Sequence, residues 1–259
     1  MESIRQAVER VRARSAALPA EQGRAGPDTQ VQEAVLDAAH LQSRRIISHD
    51  ITDRRARSFD MLRTQVLQSM DFKGWRTLAV TSPTPGCGKT LIAVNLALSI
   101  ARQPERSVLL VDLDFRKPQV AASLGLKCDG GVLSVLEGTM KLSDAIIPAR
   151  VANLSFVVLP TAATIASSEL ISSPAMAAML GVIRSEYHSQ IIILDLPPIL
   201  SGDDVIAILP QTDCVLFVAA VGTTTVSQVK ECNKHLKSAE IVRMVLNKVP
   251  ETSANYYHH

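Results

Sequence analysis

Two hydrophobic rhythms divide this 259-residue chain. In the opening MESIRQAVERVRARSAAL, Ile4, Val8, Val11 and Leu18 recur at helical spacing with Arg and Glu between them, which predicts an amphipathic helix. PAEQGRAGPD then reads as a flexible linker, and residues 29–47 return to a helical pattern. Residues 1–50 are therefore expected to form a helical, flexible arm, either solvated or acting as a docking helix for a partner. From residue 54 the rhythm changes. RARSFDMLRTQVLQSM is helix-like, with Phe59, Leu62, Val66 and Leu67 or Met70 on its apolar face. Continuous apolar runs follow: RTLAVTS (76–82), SVLLVDLD (107–114), LSFVVLP (154–160), IIILDLP (191–197), CVLFVAAV (214–221) and IVRMVLNKV (241–249). Segments 89–102, 174–186 and 224–238 supply helices between them. Strands that are apolar throughout are buried on both faces, as in a parallel sheet covered by helices. The pattern predicts a doubly wound, mostly parallel α/β domain over residues 51–250 and a short tail over residues 251–259.

Composition narrows the function. With 47% hydrophobic and 20% charged residues, the chain has the balance of an ordinary globular protein. A formal charge of +2 gives no pull toward nucleic acid or a membrane surface. Aromatics, at 3%, are too scarce for a base-stacking or sugar-stacking platform. Cys87, Cys128, Cys214 and Cys232 show no metal-like pairing, and the lack of a secretory signal favours a reduced cytoplasm. The longest apolar run, 214–222, is too short to span a bilayer. Work at a membrane would need a partner to hold the chain there.

The candidate chemistry starts at TSPTPGCGKT, residues 81–90. Pro83 stands where the phosphate-loop pattern G-x-x-x-x-G-K-[ST] has glycine, yet a strand enters the loop and an apolar helix leaves it. That context points free backbone N–H groups and a helix N-terminus at one place. Pro83 and Pro85 donate nothing, so the cradle falls to the amides of residues 86–90 and of Thr84. Lys89 would neutralise β and γ phosphates, and the Thr90 hydroxyl would ligate magnesium. Two other strands end in carboxylates. VLLVDLDFRKP carries Asp112 and Asp114 on one side of the pleat, and IIILDLPP carries Asp195 before Pro197 and Pro198. Strand ends of open α/β sheets converge on the ligand crevice, so the three signals reinforce one another. The thiol of Cys87, beside Lys89 and a helix N-terminus, has the setting for a lowered pKa; the simpler reading is a position that accepts small residues.

Together, TSPTPGCGKT, VLLVDLDFRKP and IIILDLPP resemble the Walker A, Walker A′ and Walker B motifs of the bacterial tyrosine kinases (BY-kinases). These are the cytoplasmic CpsD/CapB-type partners of polysaccharide chain-length regulators. The likeness covers residues 45–250, and MESIRQAVERVR is similar to the start of the exosortase-associated tyrosine autokinases. The resemblance implies a P-loop fold of the MinD/ParA kind that binds ATP or ADP with Mg2+. It places Gly86, Cys87, Gly88, Lys89, Thr90 and Leu91 around the phosphates, with Arg116 structuring the site. Asp112 would assist magnesium and activate the attacking hydroxyl, Asp114 would support it, and Asp195 would hold magnesium through water; Lys89, Asp112 and Asp114 form the catalytic set. Asn247, in VLNK, falls where the fold reads adenine, or is only a turn residue. Tyr256 and Tyr257 would be the phosphoacceptors, reached between neighbouring subunits of a ring, whereas Tyr187 precedes a core strand and reads as packing.

The expected partner is an inner-membrane polysaccharide co-polymerase, in a homo-oligomer or hetero-oligomer without nucleic acid. The expected place is the cytoplasm, peripheral to the inner membrane through that partner.

Two features depart from the family. The tail has two tyrosines where a larger cluster is usual. The ring-assembly pattern E-x-x-R-x-x-R falls on Arg57, Asp60 and Arg63, with the first two charges reversed; Arg57 and Asp60 have the i,i+3 spacing of a helical ion pair. A MinD/ParA-like ATPase switch, or an assembly protein of a polysaccharide export complex without kinase activity, is the alternative. The first of these carries a signature Lys where this chain has Thr84.

Overall fold

A computed structural model describes residues 33–162, 168–186, 190–237 and 239–250. Eight strands form one sheet: β1 (Ala34–Val35), β2 (Thr77–Thr81), β3 (Val108–Asp112), β4 (Ile147–Val151), β5 (Leu154–Leu159), β6 (Ile191–Asp195), β7 (Cys214–Ala220) and β8 (Ile241–Asn247). Their order is β1-β4-β5-β3-β6-β2-β7-β8. Every pairing is parallel except the β4/β5 hairpin. Every residue of β2, β3, β6 and β7 is buried, as their unbroken apolar runs require. The expected doubly wound, mostly parallel sheet is present. Among the described residues no helix is long and apolar enough to cross a membrane.

Four longer helices cover the sheet: α1 (Ala56–Lys73), α2 (Lys89–Ala101), α3 (Pro174–Glu186) and α4 (Val226–His235). Helix α1 buries Val66, Leu67 and Met70, with Phe59 and Leu62 packed at the margin. Helix α2 is apolar nearly all round because it lies in the core, touching β2, β3, β5 and β6. Helix α4 starts at a capping box, in which Thr225 and Gln228 satisfy each other's backbone N–H groups.

Among the described residues, the helix expected over 29–47 is found only at Ala38–Ser43. Ahead of it, β1 adds a parallel edge to β4. Behind it, Arg45 adopts φ 61° and turns Ile46 and Ile47 into the core. Asn95, fully buried in α2, explains this ending. Its Oδ1 accepts the N–H groups of Ile47 (2.8 Å) and Ser48 (3.0 Å), and its Nδ2 donates to Arg45 and Leu91 carbonyls. A continuous helix would have used those N–H groups internally. Strand β4 escaped the hydrophobic pattern because IPARV carries Pro148 and Arg150, residues suited to a strand near a sheet edge.

Asp60 also behaves differently from the expected i,i+3 pair with Arg57. Its Oδ1 accepts from Ser99 Oγ (2.8 Å), Arg102 Nη1 (2.9 Å) and Arg63 Nη1 (3.2 Å). The carboxylate leans toward α2, where two guanidinium groups and a hydroxyl converge, and away from the solvent side of its own helix.

Candidate functional site

The strand order places β3, β6 and β2 side by side, and the register then fixes the chemistry. Asp112 is the Cα partner of Asp195, and Asp195 the partner of Val80. The Walker A′ and Walker B carboxylates thus end level with each other, beside the strand that feeds the phosphate loop. Thr81 Oγ1 donates to the Pro197 carbonyl at 2.7 Å, which ties the ends of β2 and β6 together.

In the loop, Gly86 (φ 81°) and Gly88 (φ 93°) occupy left-handed conformations. An L side chain is strained there, which is why the loop needs glycine. Helix α2 starts immediately after, at Lys89, so its unpaired first-turn N–H groups and positive dipole end open at the loop. Lys89 Nζ lies 2.7 Å from Asp114 Oδ2, 3.5 Å from Asp195 Oδ1 and 3.3 Å from Thr90 Oγ1. Thr90 Oγ1 donates to Asp195 Oδ2 at 2.6 Å. Lys89, Thr90, Asp112, Asp114 and Asp195 are therefore one cluster, drawn from three segments of the chain.

Its charges do not balance. One ammonium faces three carboxylates, all nearly or fully buried. Burial disfavours the charged form of Lys89, but Asp195 and Asp114 more than offset this and raise its pKa. Burial, then the neighbouring Asp195 charge, pushes Asp112 up to about 8. Burial likewise raises Asp195, against the pull of Lys89 and Thr90. A divalent cation would remove the deficit. Asp195 Oδ1 is buried without a hydrogen-bond partner, and the donors at hand are hard oxygens. These residues fit Mg2+, which binds through one or two carboxylates and keeps the rest of its shell for water and phosphate.

Asp112 has further partners. Its Oδ1 accepts from Asp114 N–H at 3.1 Å, and its Oδ2 from the N–H groups of Gln119 and Val120, both at 3.0 Å. Thr161 Oγ1 donates to its backbone carbonyl at 2.7 Å. Arg116 points elsewhere: its Nε meets Asp204 at 2.9 Å and its Nη1 the Ser201 carbonyl at 2.9 Å. It clamps the segment that follows β6. Leu91 is half-buried and contributes its carbonyl to Asn95. Cys87 faces inward, with Sγ 3.5 Å from Thr224 Oγ1 and 3.6 Å from Thr84 Oγ1. Burial pushes this thiol up, but hydrogen bonds with Thr224 and Thr84 outweigh it and the pKa is lowered. The cause is those hydroxyls, not the Lys89 and helix-terminus setting expected from sequence. Asn247 Nδ2 donates to the Cys87 carbonyl at 2.9 Å. Tyr256, Tyr257 and Tyr187 lie outside the described residues. Thr161, Thr224 and Asp204 were not singled out in the sequence, where an isolated Thr or a second Asp beside Asp203 carries no motif.

Residues 75–244 match the family model AAA_31, described as an AAA domain. The chain belongs to this family. Among its curated relatives, the tyrosine-protein kinase wzc of Salmonella typhimurium is 26% identical over 220 residues, 84% of this chain and 30% of that protein. ExoP of Rhizobium meliloti, a succinoglycan biosynthesis transport protein by name, is 28% identical over 191 residues, 70% of this chain and 23% of that protein. The chain thus spans less than a third of the length of these relatives. The crystal structure of the chimerical protein CapA2B2 has 26% identity and a TM-score of 0.72, covering 85% of this chain and 94% of that one. MinD of Pyrococcus horikoshii, complexed with Mg-ADP, is alike in fold alone, at 21% identity and a TM-score of 0.56 over 69% of this chain and 75% of that one. The resemblance of this AAA domain to the bacterial tyrosine kinases, and its P-loop fold, are borne out.

Proposed function

We propose that this AAA domain is an ATP-dependent protein-tyrosine autokinase that regulates exopolysaccharide synthesis or export. The observation that carries the proposal is the convergence of Lys89 and Thr90 with Asp112, Asp114 and Asp195 at the mouth of a glycine loop. The backbone of residues 86–91 would hold the phosphates of ATP, and Lys89, now paired with Asp114, would neutralise their charge. Thr90 and Asp195 would hold Mg2+, which would supply charge neutralisation on the transferring phosphoryl group. Asp112, as the carboxylate it becomes once a cation offsets the neighbouring Asp195 charge, would accept the proton of the attacking hydroxyl. Arg116 keeps the segment after β6 in place, and Tyr256 and Tyr257 of a neighbouring copy receive the phosphate.

The names of the relatives favour this reading: wzc is a tyrosine-protein kinase, and ExoP is a succinoglycan biosynthesis transport protein. In this reading the chain works at the cytoplasmic face of the inner membrane, held there by a polysaccharide co-polymerase, in a homo-oligomer or hetero-oligomer. The test is incubation of the purified protein with Mg-ATP, alone and with the partner's cytoplasmic segment, followed by probing for phosphotyrosine. Signal is expected, and is lost in Lys89→Met and in the double variant Tyr256→Phe/Tyr257→Phe. Phosphate release without phosphotyrosine would replace the kinase by an ATPase switch, and neither signal would leave an assembly role.

A further inference from the structure

The side chain of Asn247 sits under the phosphate loop. Its backbone is fixed as the last residue of β8, opposite Ala220 in the register, and its carbonyl accepts from Val221 N–H at 3.0 Å. Its Oδ1 accepts from Lys248 N–H at 2.8 Å, so the amide orientation is set. With Nδ2 it donates to the Cys87 carbonyl at 2.9 Å. A methyl group added at Gly88 would collide with that same Nδ2. Gly88 is thus required twice, for its left-handed backbone and for the space that Asn247 fills.

We infer that Asn247 is a positioning residue for phosphate binding, acting by holding the Cys87–Gly88 peptide in one orientation. A trans peptide is planar, with its C=O and N–H pointing opposite ways. Fixing the Cys87 oxygen toward Asn247 therefore directs the Gly88 N–H away from Asn247, as a phosphate cradle needs. Were this peptide to flip, the loop would present an oxygen to the phosphate in place of a donor. The side chain that the fold offers for reading adenine is already engaged, its nitrogen with the loop's Cys87 carbonyl and its oxygen with the N–H of the adjacent Lys248. The inference rests on reading residues 83–90 as a phosphate cradle, and is independent of tyrosine transfer.

The test compares Mg-ATP with Mg-tripolyphosphate, which has the phosphates and no base. Binding of each to wild type, Asn247→Ala and Asn247→Asp is measured by calorimetry, with Lys89→Met as the control for the site. Asn247→Asp keeps the shape and the acceptor for Lys248, but turns an oxygen toward the Cys87 carbonyl. Both Asn247 variants are expected to weaken both ligands equally, about ten-fold, the size of one hydrogen bond. Loss of ATP affinity with tripolyphosphate unchanged would mean base reading and would overturn the inference, as would no loss of either. If wild type binds neither ligand, the cradle reading fails, and amide hydrogen exchange in the free protein judges the clamp separately. Exchange at residues 86–90 should rise at least ten-fold in Asn247→Ala, or in Asn247→Asp should the alanine variant not fold; unchanged exchange overturns the clamp.

Discussion

Asp60→Ala removes a carboxylate that accepts three hydrogen bonds, from Ser99 (2.8 Å), Arg102 (2.9 Å) and Arg63 (3.2 Å). Buried hydrogen bonds to charged groups are worth roughly 1.5–3 kcal/mol each, and exposed ion pairs only about 0.2–1 kcal/mol. Side-chain exposures of 29% for Asp60, 15% for Arg63 and 20% for Arg102 put this cluster between those regimes. Arg63 also keeps the Ser99 carbonyl, at 3.0 Å. The net loss is therefore about 2 kcal/mol, or a fall in Tm of roughly 4–8 °C for a domain of this size. Asp60→Asn, which retains shape and an acceptor for Ser99, should lose about half as much. Asp60→Arg, which restores the charge of the family pattern, should lose the most, because it sets a third guanidinium beside two others. Urea denaturation of Asp60→Ala, Arg102→Ala and the double variant closes a cycle with a coupling of about 1 kcal/mol. A coupling below about 0.3 kcal/mol, or an Asp60→Arg protein as stable as wild type, would refute the view that the reversed charge is held internally.

Three further outcomes follow from the buried groups. Asp112 rises from the ordinary 3.8 to about 8 in the folded protein, so between those values the native state holds a proton that the unfolded chain has lost. Stability should fall as pH rises from about 4 to 8, and urea titrations of Asp112→Asn should show a shallower slope, the remainder coming from Asp195, which burial also raises; an equal slope in the variant refutes the assignment. Asn95→Ala leaves the N–H groups of Ile47 and Ser48 buried without acceptors and should cost about 2–4 kcal/mol, with hydrogen exchange rising first at residues 45–48. Arg116→Ala leaves Asp204 buried without its cation; because Arg116 is 40% exposed, the expected loss is only about 1–2 kcal/mol. Arg116→Ala combined with Asp204→Asn should recover part of it in the same urea assay.

The sheet was legible because burial on both faces leaves no choice of residue type. Six expected runs became β2, β3, β5, β6, β7 and β8, each shortened by one to three residues where a loop begins. Strands β1 and β4 were not legible, since a two-residue edge and a five-residue strand with Pro and Arg bury too little to set a period. The expected helix over residues 29–47 failed for a related reason. Ile46 and Ile47 are buried after a turn, and the N–H groups of Ile47 and Ser48 go to Asn95, in a helix far along the chain.

For the site, the sequence alone determined which residues are the candidates for the chemistry. Gly-x-Gly-Lys-Thr and three strand-end aspartates are local patterns, fixed by what phosphate and a hard cation need. Tertiary structure decided how they share charge. The register opposes Asp112 to Asp195, so their burial raises both pKa values while Lys89 stays charged between Asp114 and Asp195. It also decided that Asn247 grips Cys87 and that Asp60 pairs with Arg102. Those partners lie 160 and 42 residues away, and contacts over such distances exist only once the strands and helices that carry them have packed.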